Sequence, residues 1–193
     1  MNARSALLPE LLETRVLCLD GAMGTAIQAR HLQPADFGGE AFDGCNENLN
    51  LTRPDVITSI HERYLAAGAD IVETNTFGST DLVLAEYPPL QEQAREITLA
   101  GARLARAAAD AFATPARPRF VAGSMGPTTK AISVTGGVTF ERLVETFGGQ
   151  AEALLAGGVD YLLLFYHFGR LEHAKVLRSL ELFAHEVMPA FAK

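Results

Sequence analysis

Apolar and polar residues follow two rhythms along this chain, and the rhythms alternate. Short apolar runs closed by glycine or a polar cluster read as strands: 15-RVLCLDG-21, 70-DIVETNTFG-78, 119-RFVAGSMGP-127 and 159-VDYLLLFYHF-168. Between them the apolar spacing lengthens to that of a helix. One helix is expected from Thr52, with Pro54 in its first turn and Asp55 completing a capping box; Val56, Ile57, Ile60, Tyr64 and Leu65 form its stripe. A second runs from Leu90 to Phe112 and is rich in good helix formers. A third begins after Thr139, with Leu143, Val144, Phe147, Leu154 and Leu155 on one face. A fourth covers Leu171 to Val187, with Ala174, Leu177, Leu180 and Phe183 as apolar positions and Pro189 just beyond its end.

Strands separated by helices imply a parallel sheet with right-handed crossovers. Two architectures satisfy that pattern, an open doubly wound sheet and a (β/α)8 barrel. The dinucleotide-binding spacing GxGxxG does not follow the first strand, where the chain reads 20-DGAMGT-25. A full barrel takes about 250 residues. The four βα units here make an α/β fold of about half a TIM-type barrel, a single domain over residues 1–193 with no internal repeat in view. Two long loops, 22–51 and 126-GPTTKAISVTGGVT-139, leave the C-terminal ends of strands, where such folds build their sites.

Composition narrows the class. A hydrophobic fraction of 48% and a charged fraction of 20% are those of an ordinary globular protein. The net charge of -7 argues against nucleic acid or an anionic membrane as a partner, since both attract basic surfaces. No apolar span reaches the roughly 20 residues of a transmembrane helix. The N-terminus lacks a secretory layout, and Cys18 and Cys45 form neither a disulfide framework nor a CxxC pair, so a cytoplasmic protein is expected.

The polar residues at the strand ends are the chemical candidates. Asp20 closes the first strand, Thr74, Asn75 and Thr76 the second, and Ser124 lies near the end of the third. Gly21 and Gly24 would let the backbone approach a ligand, and the N–H groups of such a turn suit a carboxylate. This mouth fits a small zwitterion such as an amino acid; the same residues would equally serve as strand-end caps. A catalytic zinc site wants about three protein ligands. Cys18 reads as a small core residue, Cys45 as a lone loop cysteine near Asp43 and Glu47, and the five histidines show no metal spacing. No metal ligand is therefore assigned. Neither a GxSxG elbow, a P-loop nor an EF-hand loop is present.

The segments 19-LDGAMGT-25, 45-CNENLNLTRPDVI-57, 68-GADIVETNTFGST-80 and 122-AGSMGPTTKAISVTGG-137 resemble the homocysteine S-methyltransferase family. The third-strand loop is most similar to the homocysteine-binding module of cobalamin-dependent methionine synthase. The resemblance implies a (β/α)8 barrel that transfers a methyl group to the homocysteine thiol. It also implies a zinc ion, held by three cysteines, that makes the thiolate. Asp20 and Gly21 match the turn at the amino-acid end of homocysteine, Thr74 matches a substrate-contacting position, and Asn46 and Asn75 lie in segments lining the same mouth. Cobalamin and folate would act only through modules outside this chain.

Two departures qualify that expectation. The family's zinc cysteines lie on later strands, and neither Cys18 nor Cys45 corresponds to them. The family's fourth strand ends in Leu-Glu-Thr, whose Glu holds the substrate ammonium; here Phe165 stands in its place, followed by Tyr166. A phenyl ring accepts no charge-assisted hydrogen bond, and losing such a partner in a buried site costs about 2–5 kcal/mol. From Asp160 the sequence resembles instead the closing strand and helix of luciferase-like flavin monooxygenases, placing a junction at Gly157-Gly158 between a methyltransferase-like front (15–158) and a final strand-helix unit (159–193). The expected function is that of a homocysteine S-methyltransferase-like fragment, impaired as an enzyme. The alternative is a non-catalytic half-barrel whose open sheet edges make it a homo-oligomer or require a complementing chain.

Overall fold

Three parallel strands, β1 (Ile71–Glu73), β2 (Phe120–Ser124) and β3 (Tyr161–Leu163), form a sheet in that order. They belong to a computed structural model that describes residue 4 and residues 6–130, 137–163 and 172–187. The chain divides into two units, Met1–Leu163 and Leu164–Lys193. The first holds helices α1 (Leu7–Thr14), α2 (Met23–Gln28), α3 (Leu49–Thr52), α4 (Pro54–Ala67), α5 (Asp81–Leu84), α6 (Ala94–Phe112) and α7 (Phe140–Ala156). In the second, α8 (His173–Leu182) passes into a π-helical turn, Phe183–Val187, with Leu177 and Leu180 of the expected stripe exposed.

The alternation of strand and helix is as the sequence implies: a mixed α/β fold consistent with part of a TIM-type barrel. The expected first strand, 15–21, is shorter than its pattern. It makes one parallel bridge, Leu19 to Ile71, flanked by Asp70 N–H to Cys18 O at 2.8 Å and Asp20 N–H to Ile71 O at 2.9 Å. β1 is its neighbour, and its side chains stay largely in solvent: Val16 is 86% exposed, and Cys18, read as a core residue, is exposed as well. Cys45 is the buried cysteine, packed with Leu84, Leu90 and Ile97. Of 159–168, the described strand covers Tyr161–Leu163; Phe165, Tyr166 and His167 lie outside the described residues.

Register sorts the sheet into two faces, because partners in a ladder point the same way and neighbours along a strand alternate. Val72 pairs with Val121, and together with Leu162 they face the helices, packing among Leu65, Ala102, Ala105 and Leu154. Ile71 pairs with Phe120, and Glu73 with Ala122, which pairs with Tyr161. On this second face Leu8 and Leu11 of α1 cover Ile71, Phe120 and Ala122. Glu73 and Ser124 occupy the same face beyond that cover, at the C-terminal end of the sheet. The loop over this end is also packed: Ile27, Phe37 and Leu49 meet Val56, Ile57 and Ile60 of α4.

One local turn motif occurs twice in the described chain. In 68-GADIVE-73 and 158-GVDYLL-163, a left-handed glycine ends a helix, an apolar residue follows, and an aspartate opens the strand. Gly68 has φ 112° and Gly158 φ 92°. Ala69 N–H bonds Tyr64 O at 3.0 Å, and Val159 N–H bonds Leu154 O at 3.3 Å, the six-residue closure of a Schellman turn in both. Each aspartate then accepts the N–H of the preceding strand segment, Cys18 for Asp70 at 3.0 Å and Val121 for Asp160 at 2.8 Å. Identity between the two segments is confined to the glycine and the aspartate.

Two helix expectations also change. Thr52 does not cap α4; it ends α3 and donates its hydroxyl to Asn48 O at 3.2 Å. Asp55 instead pairs with the N-cap residue Arg53, Nε to Oδ1 at 2.9 Å. On α7 the buried face is Thr146, Gln150, Ala153 and Leu154, whereas Val144 and Leu155, about half a turn away, are each 56% exposed. Small residues and hydrogen bonds outweigh the apolar stripe there. A Cβ on Gly157 would lie 2.3 Å from the Ala102 Cβ of α6, so the helices meet closely. Gln150 Nε2 donates to Thr76 O at 2.8 Å, and Thr146 Oγ1 to Asp81 Oδ1 at 2.9 Å.

Candidate functional site

A hollow of about 290 Å³ opens where the first segment, β1 and β2 end. Asp20, Gly21, Asn46, Thr74, Asn75 and Ser124, all six residues expected in a substrate mouth, line it together. Two other hollows are of similar size, about 270 Å³ among α5, α6 and α7 and about 330 Å³ between α2 and α4. Position rather than volume singles this one out, since the C-terminal ends of parallel strands are where such sheets present chemistry.

Each lining group is fixed by the fold. Asp20 Oδ1 accepts the Glu73 N–H at 2.8 Å, tying the first segment to β1. The chain then turns through Ala22, a non-glycine residue in the left-handed region at φ 50°, into α2. Nothing lies within 4 Å of where a Cβ would sit on Gly21 or Gly24, so each presents bare backbone to open space beside the hollow. Thr74, Thr76 and Ser124 form a closed circuit. Ser124 N–H donates to Thr74 Oγ1 at 3.0 Å, the two threonine hydroxyls lie 2.5 Å apart, and Thr76 Oγ1 donates to Ser124 O at 2.8 Å. The last bond leaves Thr76 to accept from Thr74, so the Thr74 hydroxyl has committed its proton and can meet a ligand only as an acceptor. Asn75 Nδ2 donates to Asn46 O at 2.8 Å and to Asn50 Oδ1 at 3.1 Å, fixing the loop that carries Asn46.

The lining residues that were not among the expected ones include Glu73, Glu47 and Phe77. Glu47 Oε1 accepts the Gly78 N–H at 2.8 Å. Glu73 Oε2 accepts the Ser124 hydroxyl at 3.1 Å. The signal for Glu73 was available as a carboxylate inside an otherwise apolar strand run. Glu47 sits in a loop, where its sequence context gives no comparable sign.

The hollow is acidic. Asp20, Glu47 and Glu73 line it, with no lysine, arginine or histidine among the described lining residues. Burial, with the charge of Glu73 adding to it, pushes the Asp20 carboxyl up to about 7 despite the hydrogen bond from the Glu73 N–H. Burial also raises the Tyr161 hydroxyl above its ordinary range, helped by the charges of Glu73, Asp160 and Asp20.

A model of the homocysteine S-methyltransferase family matches residues 17–192. The chain belongs to this family. The match runs past Gly157-Gly158 and takes in the tail. Among solved structures, the oxidized form of the homocysteine methyltransferase MmuM from Escherichia coli is 26% identical, with a TM-score of 0.67 over 93% of this chain and 62% of that one. The metallated form of the same enzyme is 27% identical, with a TM-score of 0.64 over 80% of this chain and 55% of that one. This chain therefore spans less than two thirds of the length of the enzymes it matches.

A metal in this family raises the question of ligands here. Among the described residues, no three His, Cys, Asp or Glu side chains come together as a metal site. Cys45 lies in an apolar cluster, and burial pushes its thiol up to about 11, the opposite of what a thiolate ligand needs. The described donor set does not fit zinc.

Proposed function

We propose that this chain supplies the substrate-seating front of a homocysteine S-methyl-transfer site. The observation that carries the reading is the convergence of Asp20, Gly21, Asn46, Thr74, Asn75 and Ser124 on one hollow at the strand ends. The bare backbone of Gly21 and Gly24 suits the carboxylate of a small amino acid, and the acidic wall suits its ammonium. Methyl transfer itself needs a thiolate, and the family's zinc cysteines have no counterpart in Cys18 or Cys45. On this reading the chain alone binds homocysteine without turning it over. If its affinity is with methionine synthase, as the third-strand loop supports, the methyl group comes from cobalamin held on another module.

Calorimetric titration of L-homocysteine, with and without zinc, tests this, alongside an assay for methionine. We expect homocysteine to bind equally well in both conditions and no methionine to form from the purified chain and a methyl source. Methionine formation by the chain alone, or no homocysteine binding, would overturn the reading.

A second reading is a non-catalytic half-barrel that pairs with itself or with a complementing chain. It is favoured by exposed apolar side chains at both flanks of the first unit, Val16 and Leu19 on the first segment and Val144, Leu155 and Leu163 by α7 and β3. Light scattering at increasing concentration should then show a dimer or larger species; a monodisperse monomer throughout would remove this reading.

A further inference from the structure

Three arginines converge on one carboxylate where the first segment and β1 begin. Asp70 takes Arg15 at 2.9 and 3.0 Å, while Arg117 Nε lies 3.5 Å and Arg119 Nη1 3.6 Å from its Oδ1. No other carboxylate among the described residues pairs with these arginines, so the group carries two positive charges in excess, in a chain whose net charge is -7. The start of β3 is different: there Arg4 and Arg106 meet two carboxylates, Asp110 and Asp160, and the charges balance.

The fold holds the surplus in place. Arg117 and Arg119 flank Pro118 just before β2, in a turn closed by Arg117 N–H to Thr114 O at 3.0 Å. Arg117 Nη2 donates to Gly68 O at 2.7 Å and Arg119 Nη1 to Ala69 O, both at the C-terminal end of α4. The negative end of that helix dipole offsets about half a charge, which does not cancel two. Arg119 is 5% exposed, and its Nε is buried without a hydrogen-bond partner among the described residues. Burial, with the charges of Arg117 and Arg15 adding to it, pulls its guanidinium below the ordinary range. The side chains of Arg15 and Arg117, by contrast, are 36% and 49% exposed, and no bond within the group uses Arg15 Nε or Arg117 Nη1.

We propose that Arg15, Arg117 and Arg119 form an anion site at the strand starts that takes a phosphate group, either as inorganic phosphate or on a phosphomonoester. A phosphate carries close to two negative charges at neutral pH, which matches the surplus, and its oxygens fit the fork of guanidinium N–H donors. Bound there, it relieves the repulsion among the arginines and bridges the first segment to the turn before β2. The site lies at the opposite end of the sheet from the strand-end hollow and does not depend on how that hollow is read.

The test titrates the full chain by calorimetry at pH 7.5 and constant ionic strength, with inorganic phosphate and separately with glycerol 3-phosphate. Saturable binding to one site is expected, with a Kd of about 1 mM or lower. Arg117→Gln, at a half-exposed side chain, should weaken it about tenfold, the loss expected for one charge-assisted hydrogen bond. Arg95→Gln removes the same charge from an exposed position in the first turn of α6 and should leave the affinity unchanged. Tighter binding of glycerol 3-phosphate would support an ester as the ligand, and tighter or equal binding of inorganic phosphate the free ion. No saturable binding of either, or equal weakening by the two variants, would overturn the proposal and leave the arginines as anchors of Asp70 and of the end of α4.

Discussion

Where the strands begin, Asp70 and Asp160 are matched by arginines; where they end, Asp20 and Glu73 have no such match among the described residues. At the first end Asp70 takes a two-pronged hold from Arg15, at 2.9 and 3.0 Å, with Arg119 at 3.6 Å. Asp160, its side chain fully buried, takes Arg106 and the Val121 N–H through one oxygen. At the second end the same kind of carboxylate lines an open hollow with no cation among the described residues. The titration behaviour follows. Burial works to raise the Asp70 carboxyl, but Arg15, the Cys18 N–H and the charge of Arg117 outweigh it and hold it low, whereas Asp20 rises to about 7. Neutralised charge at the strand starts serves stability, and uncompensated charge at the strand ends is what a ligand site keeps.

The sharpest way to break this comparison is at Asp160. Replacing it with alanine leaves the Arg106 guanidinium, 13% exposed, with only the half-exposed Asp110 at 2.9 Å in place of its buried partner, and leaves the Val121 N–H of a buried strand without an acceptor. Removing one partner of a buried pair costs about 3–5 kcal/mol, so Asp160→Ala should lose that much in urea unfolding. A loss below about 1 kcal/mol would mean that the strand-start pairs carry no more than ordinary surface ion pairs do.

How much of this division could be read beforehand differs between the two ends. The strand-end residues Asp20, Thr74, Asn75 and Ser124 were legible because polar side chains terminating apolar runs are conspicuous, and parallel strands bring their ends together. Glu73 was passed over because one residue decides which face a strand side chain occupies, and only the pairing of Glu73 with Ala122 fixes that parity. The strand-start pairs were not legible at all. Asp160 meets Arg106 across 54 positions, and Asp70 meets Arg15 across 55, distances over which no local pattern reports a contact. The same limit explains α7, whose apolar stripe meets the buried face at Leu154 but is rotated away from it at Val144 and Leu155. A hydrogen bond from Gln150 to Thr76, 74 positions away, and the close approach of Gly157 to Ala102 settle its rotation.

A smaller effect, of opposite sign, is expected at the other end. Asp20 binds its proton more tightly in the folded chain, at about 7, than at its ordinary value of 3.8. Between those values the folded state holds more protons than the unfolded one, so this residue makes the protein less stable as pH rises from about 4 to about 7. Asp20→Asn removes the titration while its amide oxygen can still accept the Glu73 N–H. The variant should therefore be more stable than the natural chain at pH 8, by roughly 1–2 kcal/mol once the partial exposure of the site is allowed for, and the gain should shrink toward zero by about pH 4. His61 titrates in an overlapping window with the opposite slope, because burial pulls its imidazole from 6.5 down to about 4 and its neutral form is the one the core accepts. It is unchanged in the variant, so the difference between the two chemical-denaturation profiles isolates Asp20. A difference that is flat with pH would show that this carboxylate carries no penalty, and that the strand ends are electrostatically no different from the strand starts.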